Sequence, residues 1–169
     1  MIVDWESILR ADGPAIWRTA RRLVGNDPDA DECFQEAFIN ALELSQKQPV
    51  RHWRALLTRL ATARAIDLLR RRIRRTGREE TADWEKIGQT ASLPPEQAET
   101  AELSQLLRNA LTEIPPRQAE IFCLACLDGQ SHAEIAQQLG ISVDSVGVTV
   151  HRARQKLREL LAAINEVSG

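Results

Sequence analysis

The stretch "SHAEIAQQLGISVDSVGVTVHRARQKL" (residues 131–157) carries the signals of two helices separated by a short turn. Ser131, followed three residues later by Glu134, is a capping box and predicts the start of a helix. Gly140 predicts the end of that helix, and Ser142 predicts the N-terminus of the next one. A short helix, a glycine turn and a longer helix are typical of a DNA-binding helix-turn-helix.

The longer helix has an apolar face and a polar face. Val146, Val150, Ala153 and Leu157 repeat at helical spacing and should pack inward. Gly147 lies in the first turns of this helix, where glycine costs about 1 kcal/mol of helix stability relative to alanine. The methyl groups of Val148 and Thr149 beside it can pack on a thymine methyl in the major groove. The outer face predicts these DNA-binding residues, with Arg152 as the main positive contact: Ser142, Ser145, Val148, Thr149, Arg152, Arg154 and Lys156.

The rest of the chain is also predicted to be helical, in two parts. Residues 98–169 show helical periodicity interrupted at Pro115-Pro116 and Gly129, whereas residues 76–97 have no helical period. The sequence therefore predicts an all-α protein of two small helical domains joined by a flexible linker. We place the first domain at 1–78, the linker at 79–97 and the helix-turn-helix domain at 98–169.

The first domain should contain three or four helices. Apolar spacing predicts a helix that ends at Gly25, with a break near Gly13-Pro14. A second helix, with Pro28 in its first turn, should bury Phe34, Ala37, Phe38, Ala41 and Leu42. The polar side chains of this helix lie largely away from that stripe; they are Asp31, Glu32, Gln35, Glu36 and Asn40. A third helix, between Pro49 and Gly77, should bury Trp53, Leu56, Leu57, Leu60, Ala61, Ala65, Leu68 and Leu69.

Charge is strongly segregated along the chain, although the formal net charge is only −2. Residues 51–78 hold ten arginines and one acid, a local net charge of +9. Residues 1–50 and 79–120 have local net charges of −4 and −6. A basic segment inside an otherwise acidic chain indicates a polyanion partner for that segment alone. Five arginines in six positions are the main phosphate-binding candidates: Arg70, Arg71, Arg72, Arg74 and Arg75.

Several function classes have little support in the sequence. No Ser/His/Asp or Cys/His arrangement, phosphate-binding glycine loop or metal-ligand spacing stands out, so we expect no enzyme, no cofactor, no metal and no small-molecule substrate. Cys33, Cys123 and Cys126 are interpreted as small apolar core residues, with a redox or metal role as the alternative. No apolar run is long enough to span a membrane or act as an export signal, so we expect a cytoplasmic protein.

Three motifs occur in one order: "DADECFQEAFINAL" (29–42), "ARAIDLLRRR" (63–72) and "IPPRQAEIFCLACLDGQSHAEIAQQLGISVDSVGVTVHRARQKLREL" (114–160). In this combination the chain closely resembles the sigma factors of bacterial RNA polymerase, and best of all their extracytoplasmic-function (ECF) group. The resemblance covers nearly the whole chain and is weakest in the linker and at the extreme N-terminus.

The resemblance implies a role for each motif. The helix at 29–42 would bind the clamp helices of the largest subunit of core RNA polymerase through its polar face. The arginine-rich helix would bind the minus-ten promoter element and its melted strand, with Arg64 and Asp67 among its site residues. The helix-turn-helix would bind the minus-thirty-five duplex and the flap of the other large subunit. Members of the family are usually held by an anti-sigma factor, so we expect such a partner here.

Two alternatives remain open at this point. A stand-alone helix-turn-helix regulator would bind a duplex operator as a dimer, but would leave the 29–42 motif and the arginine helix unexplained. A degenerate sigma-like module would hold polymerase without reading promoters. The chain also departs from the family pattern, because Thr62-Ala63 replaces a frequent Arg-Asn pair and Gly147 to Thr149 replace a usually basic stretch.

Overall fold

A computed structural model describes residues 2–76 and 95–168, and every regular element in these two ranges is helical. No helix in the described ranges is long and apolar enough to cross a bilayer. A π-helical segment, Cys123–Leu127, follows the fifth helix. The α-helices are α1 (Trp5–Val24), α2 (Asp27–Lys47), α3 (Trp53–Thr76), α4 (Pro95–Leu111), α5 (Pro116–Phe122), α6 (His132–Leu139) and α7 (Val143–Ser168). The prediction of an all-α chain with a C-terminal helix-turn-helix is confirmed.

The first helix is continuous, so the predicted break near Gly13-Pro14 is wrong. The Asp4 side chain caps α1 by accepting the Ser7 N–H at 3.1 Å, and Gly25 ends the helix in the left-handed region at φ 85°. Pro14 lies inside the helix. Ile8 and Ile16, on either side of it, pack into one apolar cluster. This burial on both sides holds the two turns in line and outweighs the hydrogen bond that proline cannot donate.

Helices α1, α2 and α3 pack around a small core that confirms most of the predicted apolar faces. Ile16, Ala37 and Leu57 are fully buried there, and the rings of Trp5 and Trp53 meet edge to face at 4.9 Å. Leu42 was predicted to belong to the buried stripe, but it is 43% exposed. It follows buried Ala41, which places it about 100° further round the helix.

The helix-turn-helix has a second core of its own. Ile121 and Leu124 pack against Ile135 of α6 and against Val146 and Val150 of α7. This core confirms that the regularly spaced apolar residues of the last helix face inward. It fixes the angle between α6 and α7 and leaves the opposite face of α7 to solvent.

A third cluster joins the two halves of the chain. Leu23 and Ile66 from the N-terminal helices pack with Leu111, Ile114 and Leu157 from the C-terminal half. All five side chains are buried. The halves therefore share apolar surface, which the sequence did not indicate. Most of the predicted linker, residues 79–94, lies outside the described residues, and its last three residues belong to α4.

Candidate functional site

The helix-turn-helix is held by side-chain caps at the start of both of its helices. Ser131 Oγ accepts the Glu134 N–H, and Glu134 Oε2 accepts the Ser131 N–H, both at 3.1 Å. Gly140 ends α6 at φ 66°. Ser142 Oγ then accepts the Ser145 N–H at 3.1 Å. Each predicted start and stop signal of this motif is confirmed, so the two ends of α6 and the start of α7 are set by local hydrogen bonds and the glycine turn.

The outer face of α7 has uncharged side chains at Val148 and Thr149 and positive side chains in the turns that follow. Val148 is 48% exposed, and the Thr149 hydroxyl donates to the Ser145 carbonyl at 2.8 Å, within the helix. Arg152, Arg154 and Lys156 are exposed along the following turns. Arg154 donates to Cys126 Sγ at 3.2 Å, and Lys156 Nζ lies 3.9 Å from Glu159. Arg152 has no ion-pair partner among the residues that the structure describes.

The position of Gly147 has room for a side chain, so steric crowding does not require glycine there. A Cβ built on it would lie 3.7 Å from His132 Nδ1, which is an ordinary van der Waals contact. A Cβ at this position therefore meets no steric obstacle, and the helical backbone there does not require glycine. The packing beneath α7 therefore does not explain the missing side chain at Gly147.

The five clustered arginines of α3 divide into two groups. Arg71, Arg74 and Arg75 are exposed. Arg70 instead donates to the Thr112 carbonyl at 3.1 Å and the Ile114 carbonyl at 3.3 Å. Arg72 donates to the Val24 carbonyl at 2.9 Å and pairs with Asp29. Three of the five arginines predicted to bind phosphate are thus accessible to DNA in this conformation. The other two donate hydrogen bonds to main-chain carbonyls near the C-terminal ends of other helices.

The polar face of α2 lies where the sequence placed it. Gln35 and Asn40 are exposed, and the Asp31 carboxylate accepts a hydrogen bond from Trp17 Nε1 at 2.7 Å. Glu32 and Glu36 each lie 2.9 Å from the guanidinium of Arg64 on α3. Asp67 lies 2.8 Å from the same guanidinium. Residues predicted for two different partners are therefore connected by one arginine.

The residues that sequence reasoning missed are those that join the two halves. Arg108 donates to the Leu23 carbonyl at 2.9 Å and to the Arg22 carbonyl at 3.1 Å. Arg22 in turn donates to the Leu127 carbonyl at 3.2 Å. Arg108 is an isolated base in an acidic segment. No periodicity or spacing marks a side chain whose acceptors are main-chain carbonyls.

Two half-buried acids also lie at this junction. Asp128 Oδ1 accepts the Thr19 hydroxyl at 3.0 Å. Burial raises the pKa of Asp128, against the opposing effects of that hydrogen bond and the charge of Arg22. Burial likewise raises the pKa of Glu120, opposed by the charges of Arg117 and Arg59. Both acids therefore favour the packed arrangement of the halves more when they are protonated.

The cysteines have the surroundings of core residues. Cys33 and Cys123 are fully buried, and Cys126 is partly buried. Burial raises the pKa of the Cys33 thiol to about 12 and raises the pKa of Cys123 as well. Neither thiol is a nucleophile at neutral pH under these conditions. Within residues 2–76 and 95–168, no group of three or more His, Cys, Asp or Glu is placed to hold a metal ion.

Comparison with protein families identifies two matched regions in this chain. Residues 8–75 match the family model for sigma-70 region 2. Residues 104–157 match the model for sigma-70 region 4. The first match covers nearly all of α1 to α3, and the second runs from the middle of α4 through α5 and α6 to residue 157 of α7.

Known proteins of the same kind align along almost the full length of the chain. The ECF RNA polymerase sigma factor SigE of Mycolicibacterium smegmatis is 30% identical over 94% of this chain and 62% of its own length. The chain thus spans less than two thirds of that relative. The RNA polymerase sigma factor CnrH of Cupriavidus metallidurans is 35% identical, over 91% of this chain and 84% of its own length.

Solved structures share the fold. CnrH in complex with the cytosolic domain of CnrY superposes with a TM-score of 0.59 at 24% identity, covering 94% of this chain and 88% of that one. The sigma factor RpoE in complex with the anti-sigma factor NepR, from Bartonella quintana, gives a TM-score of 0.56 at 20% identity. It covers 95% of this chain and 98% of that one.

Proposed function

The chain belongs to the ECF group of the sigma-70 family, and from that premise we propose that it is a transcription initiation factor that directs core RNA polymerase to specific promoters. The observation that carries the proposal is the presence, in one chain and in this order, of a polar α2 face, an arginine-rich α3 and a capped helix-turn-helix. A stand-alone helix-turn-helix regulator would need only the last of these. Sigma factors are not enzymes, and we assign no catalytic step to this chain.

Each surface then has its own partner. The α2 face, with Asp31, Glu32, Gln35, Glu36 and Asn40, binds the clamp helices of core polymerase. The exposed part of α3 binds the minus-ten element, where Arg71, Arg74 and Arg75 meet phosphate. The outer face of α7 binds the minus-thirty-five duplex in the major groove. These assignments correspond to a region 2 domain at 1–78, a linker at 79–97 and a region 4 domain at 98–169, acting in the cytoplasm.

The two halves must separate to occupy both promoter elements. The names minus-ten and minus-thirty-five place the two elements ~25 base pairs apart, and at about 3.4 Å per base pair this separation is about 85 Å. A compact chain of this length has a radius of gyration of about 15 Å. The packed arrangement therefore reaches one element at a time, and core polymerase selects the separated form. A cognate anti-sigma factor would favour the packed form; the solved complexes of RpoE with NepR and of CnrH with CnrY motivate this partner.

The central experiment is reconstitution with purified core polymerase on a library of promoter fragments. We expect the full chain to start transcription at a defined subset of promoters that core polymerase alone ignores. Binding to core without promoter-specific transcription would support the degenerate polymerase-binding module instead. Operator binding by a dimer without polymerase would support the stand-alone regulator.

The polymerase surface is tested by charge reversal on α2. Glu36→Lys with Gln35→Ala should weaken co-elution with core polymerase while the chain stays helical. Glu43→Lys on the same helix is the matched control, because Glu43 is exposed and lies outside the proposed surface. Equal co-elution of the double variant and the control would remove α2 from the interface.

The minus-ten surface is tested by its salt dependence. Arg71→Ala with Arg74→Ala should flatten the slope of log affinity against log salt by roughly 0.7 to 0.9 for each phosphate that the variant no longer binds. The measurement is promoter binding by the holoenzyme over a salt series. An unchanged slope would mean that these side chains only solvate the end of α3.

Because Gly147, Val148 and Thr149 of α7 carry no charge, we expect weak binding of the minus-thirty-five element with a shallow salt dependence. Gly147→Lys with Thr149→Arg should bind non-specific duplex more tightly and with a steeper salt slope than the wild-type chain. Room beside His132 at Gly147 allows the first substitution without displacing a buried group. Tight wild-type binding that the added charges do not change would refute this account.

A further inference from the structure

Arg64 joins the proposed polymerase surface to the proposed promoter surface. It projects from α3 toward α2, and its side chain is only 16% exposed. Its guanidinium nitrogens lie 2.9 Å from Glu32, 2.9 Å from Glu36 and 2.8 Å from Asp67. The three carboxylates are between 41% and 47% exposed, so partners in solution can reach them while the cation between them stays shielded.

The three contacts are not equivalent. Arg64 donates hydrogen bonds to Glu32 and to Asp67. Its Nε–H makes no hydrogen bond, although Glu36 Oε2 lies 2.9 Å from the nitrogen. Glu36 is therefore held by charge alone and is the carboxylate that a competing cation removes most easily. Asp67 has a second cation, Arg71, at 3.3 Å.

The surrounding charge keeps the guanidinium from binding another anion. Burial alone would lower the pKa of Arg64, but the Glu32 hydrogen bond and the charges of Glu36 and Asp67 outweigh it and raise that pKa. A phosphate approaching this cation would meet three carboxylates. Arg64 is thus saturated in the isolated chain, unlike exposed Arg74 and Arg75.

We infer that Arg64 couples polymerase docking to promoter binding by changing partners: a basic group of polymerase takes Glu32 and Glu36, and the released guanidinium then binds a phosphate of the minus-ten strand. This inference rests on the proposed function, because it needs the α2 face to meet polymerase and α3 to meet DNA. A shielded cation that loses two of three counter-ions is destabilised until another anion replaces them. Because binding couplings are reciprocal, promoter binding strengthens polymerase docking by the same factor.

The test is a salt slope measured in two states of the same chain. The probe is one promoter fragment with a single-stranded minus-ten region, taken from those that the holoenzyme transcribes. In the holoenzyme, Arg64→Gln should lower the slope of log affinity against log salt by roughly 0.7 to 0.9, the value for one phosphate. In the isolated full chain, the same substitution should leave the slope unchanged, because Arg64 binds carboxylates there.

A second variant acts in the opposite direction, so that loss of folding cannot imitate it. Glu32→Gln with Glu36→Gln releases Arg64 without polymerase and should raise the slope of the isolated chain by roughly 0.7 to 0.9. Glu43→Gln with Glu102→Gln makes the same change in net charge at exposed positions away from Arg64 and is the matched control. Adding Arg64→Gln to the releasing pair should abolish the gain.

The outcomes separate this inference from the proposed function. A holoenzyme that transcribes normally while Arg64→Gln leaves its slope unchanged overturns the coupling and leaves the function intact. An equal decrease of slope in the isolated chain also overturns it, since Arg64 would then bind DNA in both states. A releasing pair that behaves like its control does the same. Failure of the wild-type chain to transcribe any promoter would remove the premise itself.

Discussion

Arg108→Ala should weaken the packing between the two halves more than any other arginine substitution in the C-terminal half. The guanidinium donates to the Leu23 and Arg22 carbonyls at the end of α1. Burial lowers the pKa of Arg108, and the charges of Arg21 and Arg72 lower it further. The environment therefore opposes the charge, and the two hydrogen bonds to the carbonyls compensate for that cost.

The size of the effect follows from these contacts. A hydrogen bond that involves a charged group contributes roughly 1.5–3 kcal/mol, and a cation near a helix C-terminus about 0.3–1 kcal/mol. Two such bonds, offset by the unfavourable burial and by rehydration of the carbonyls, leave about 2 kcal/mol. That corresponds to roughly a thirtyfold shift of the packed form toward the separated form.

The assay is urea unfolding of the full chain, followed by far-ultraviolet circular dichroism. We expect a free energy of unfolding about 2 kcal/mol lower for Arg108→Ala than for wild type. Arg158→Ala, an exposed arginine of α7, is the control and should change stability by less than about 0.5 kcal/mol. Equal effects of the two substitutions would show that the Arg108 bonds do not hold the halves together.

Three further predictions test particular backbone and electrostatic features. Gly25→Ala should destabilise the chain more than Gly140→Ala in urea unfolding. Both glycines have positive φ, but a Cβ at Gly25 would lie 2.8 Å from Arg108 Cζ, whereas Gly140 has open space; similar losses of stability would contradict the steric part of the argument. Gly147→Ala should raise the melting temperature, since it gains about 1 kcal/mol of helix propensity at an ordinary contact distance; a lower melting temperature would show that His132 cannot accommodate a methyl group. The Asp128→Asn variant should become progressively more stable than wild type as pH rises above about 4. The reason is that the raised pKa of Asp128 gives the wild-type chain stability that is present at low pH and lost when the carboxyl group ionises. A pH-independent difference in unfolding free energy between the two chains would refute this prediction.

The helix ends of the C-terminal half were predictable because their signals are local. Ser131, Glu134, Gly140 and Ser142 act on backbone groups within four residues, so the sequence pattern contains the whole interaction. The capping residues, the glycine stop signal and the apolar periodicity all predict the same helix boundaries there. The inward face of α7 followed for the same reason.

The prediction of a helix break near Gly13-Pro14 was wrong because the continuity of α1 depends on residues that are distant in the sequence. Proline removes one hydrogen bond, and that loss is local and visible in the sequence. The burial of Ile8 and Ile16 against α2 and α3 is not local, and it decides the result. The prediction that Leu42 is buried was wrong for a similar reason, since only the packed structure shows how far the buried face of α2 extends.

The junction between the halves had no signal in the sequence at all. Arg70 was assigned to phosphate because it lies in a basic run, and its contacts with the Thr112 and Ile114 carbonyls depend on where α4 ends in space. The network around Arg64 was hidden for a related reason. Its acids were assigned to one partner and its arginine to another, and nothing in their spacing brings α2 and α3 together at that point.

The use of main-chain acceptors at the junction has an evolutionary consequence. Arg22, Arg70 and Arg108 all donate across the junction to carbonyl oxygens, which every residue type possesses. A substitution at the accepting position leaves the acceptor in place as long as the helix ends where it did. At these three contacts, the accepting residue can therefore change type without a matching change in the arginine that donates to it. Paralogues that arise from such a chain can diverge at these accepting positions while keeping the same three contacts between the halves.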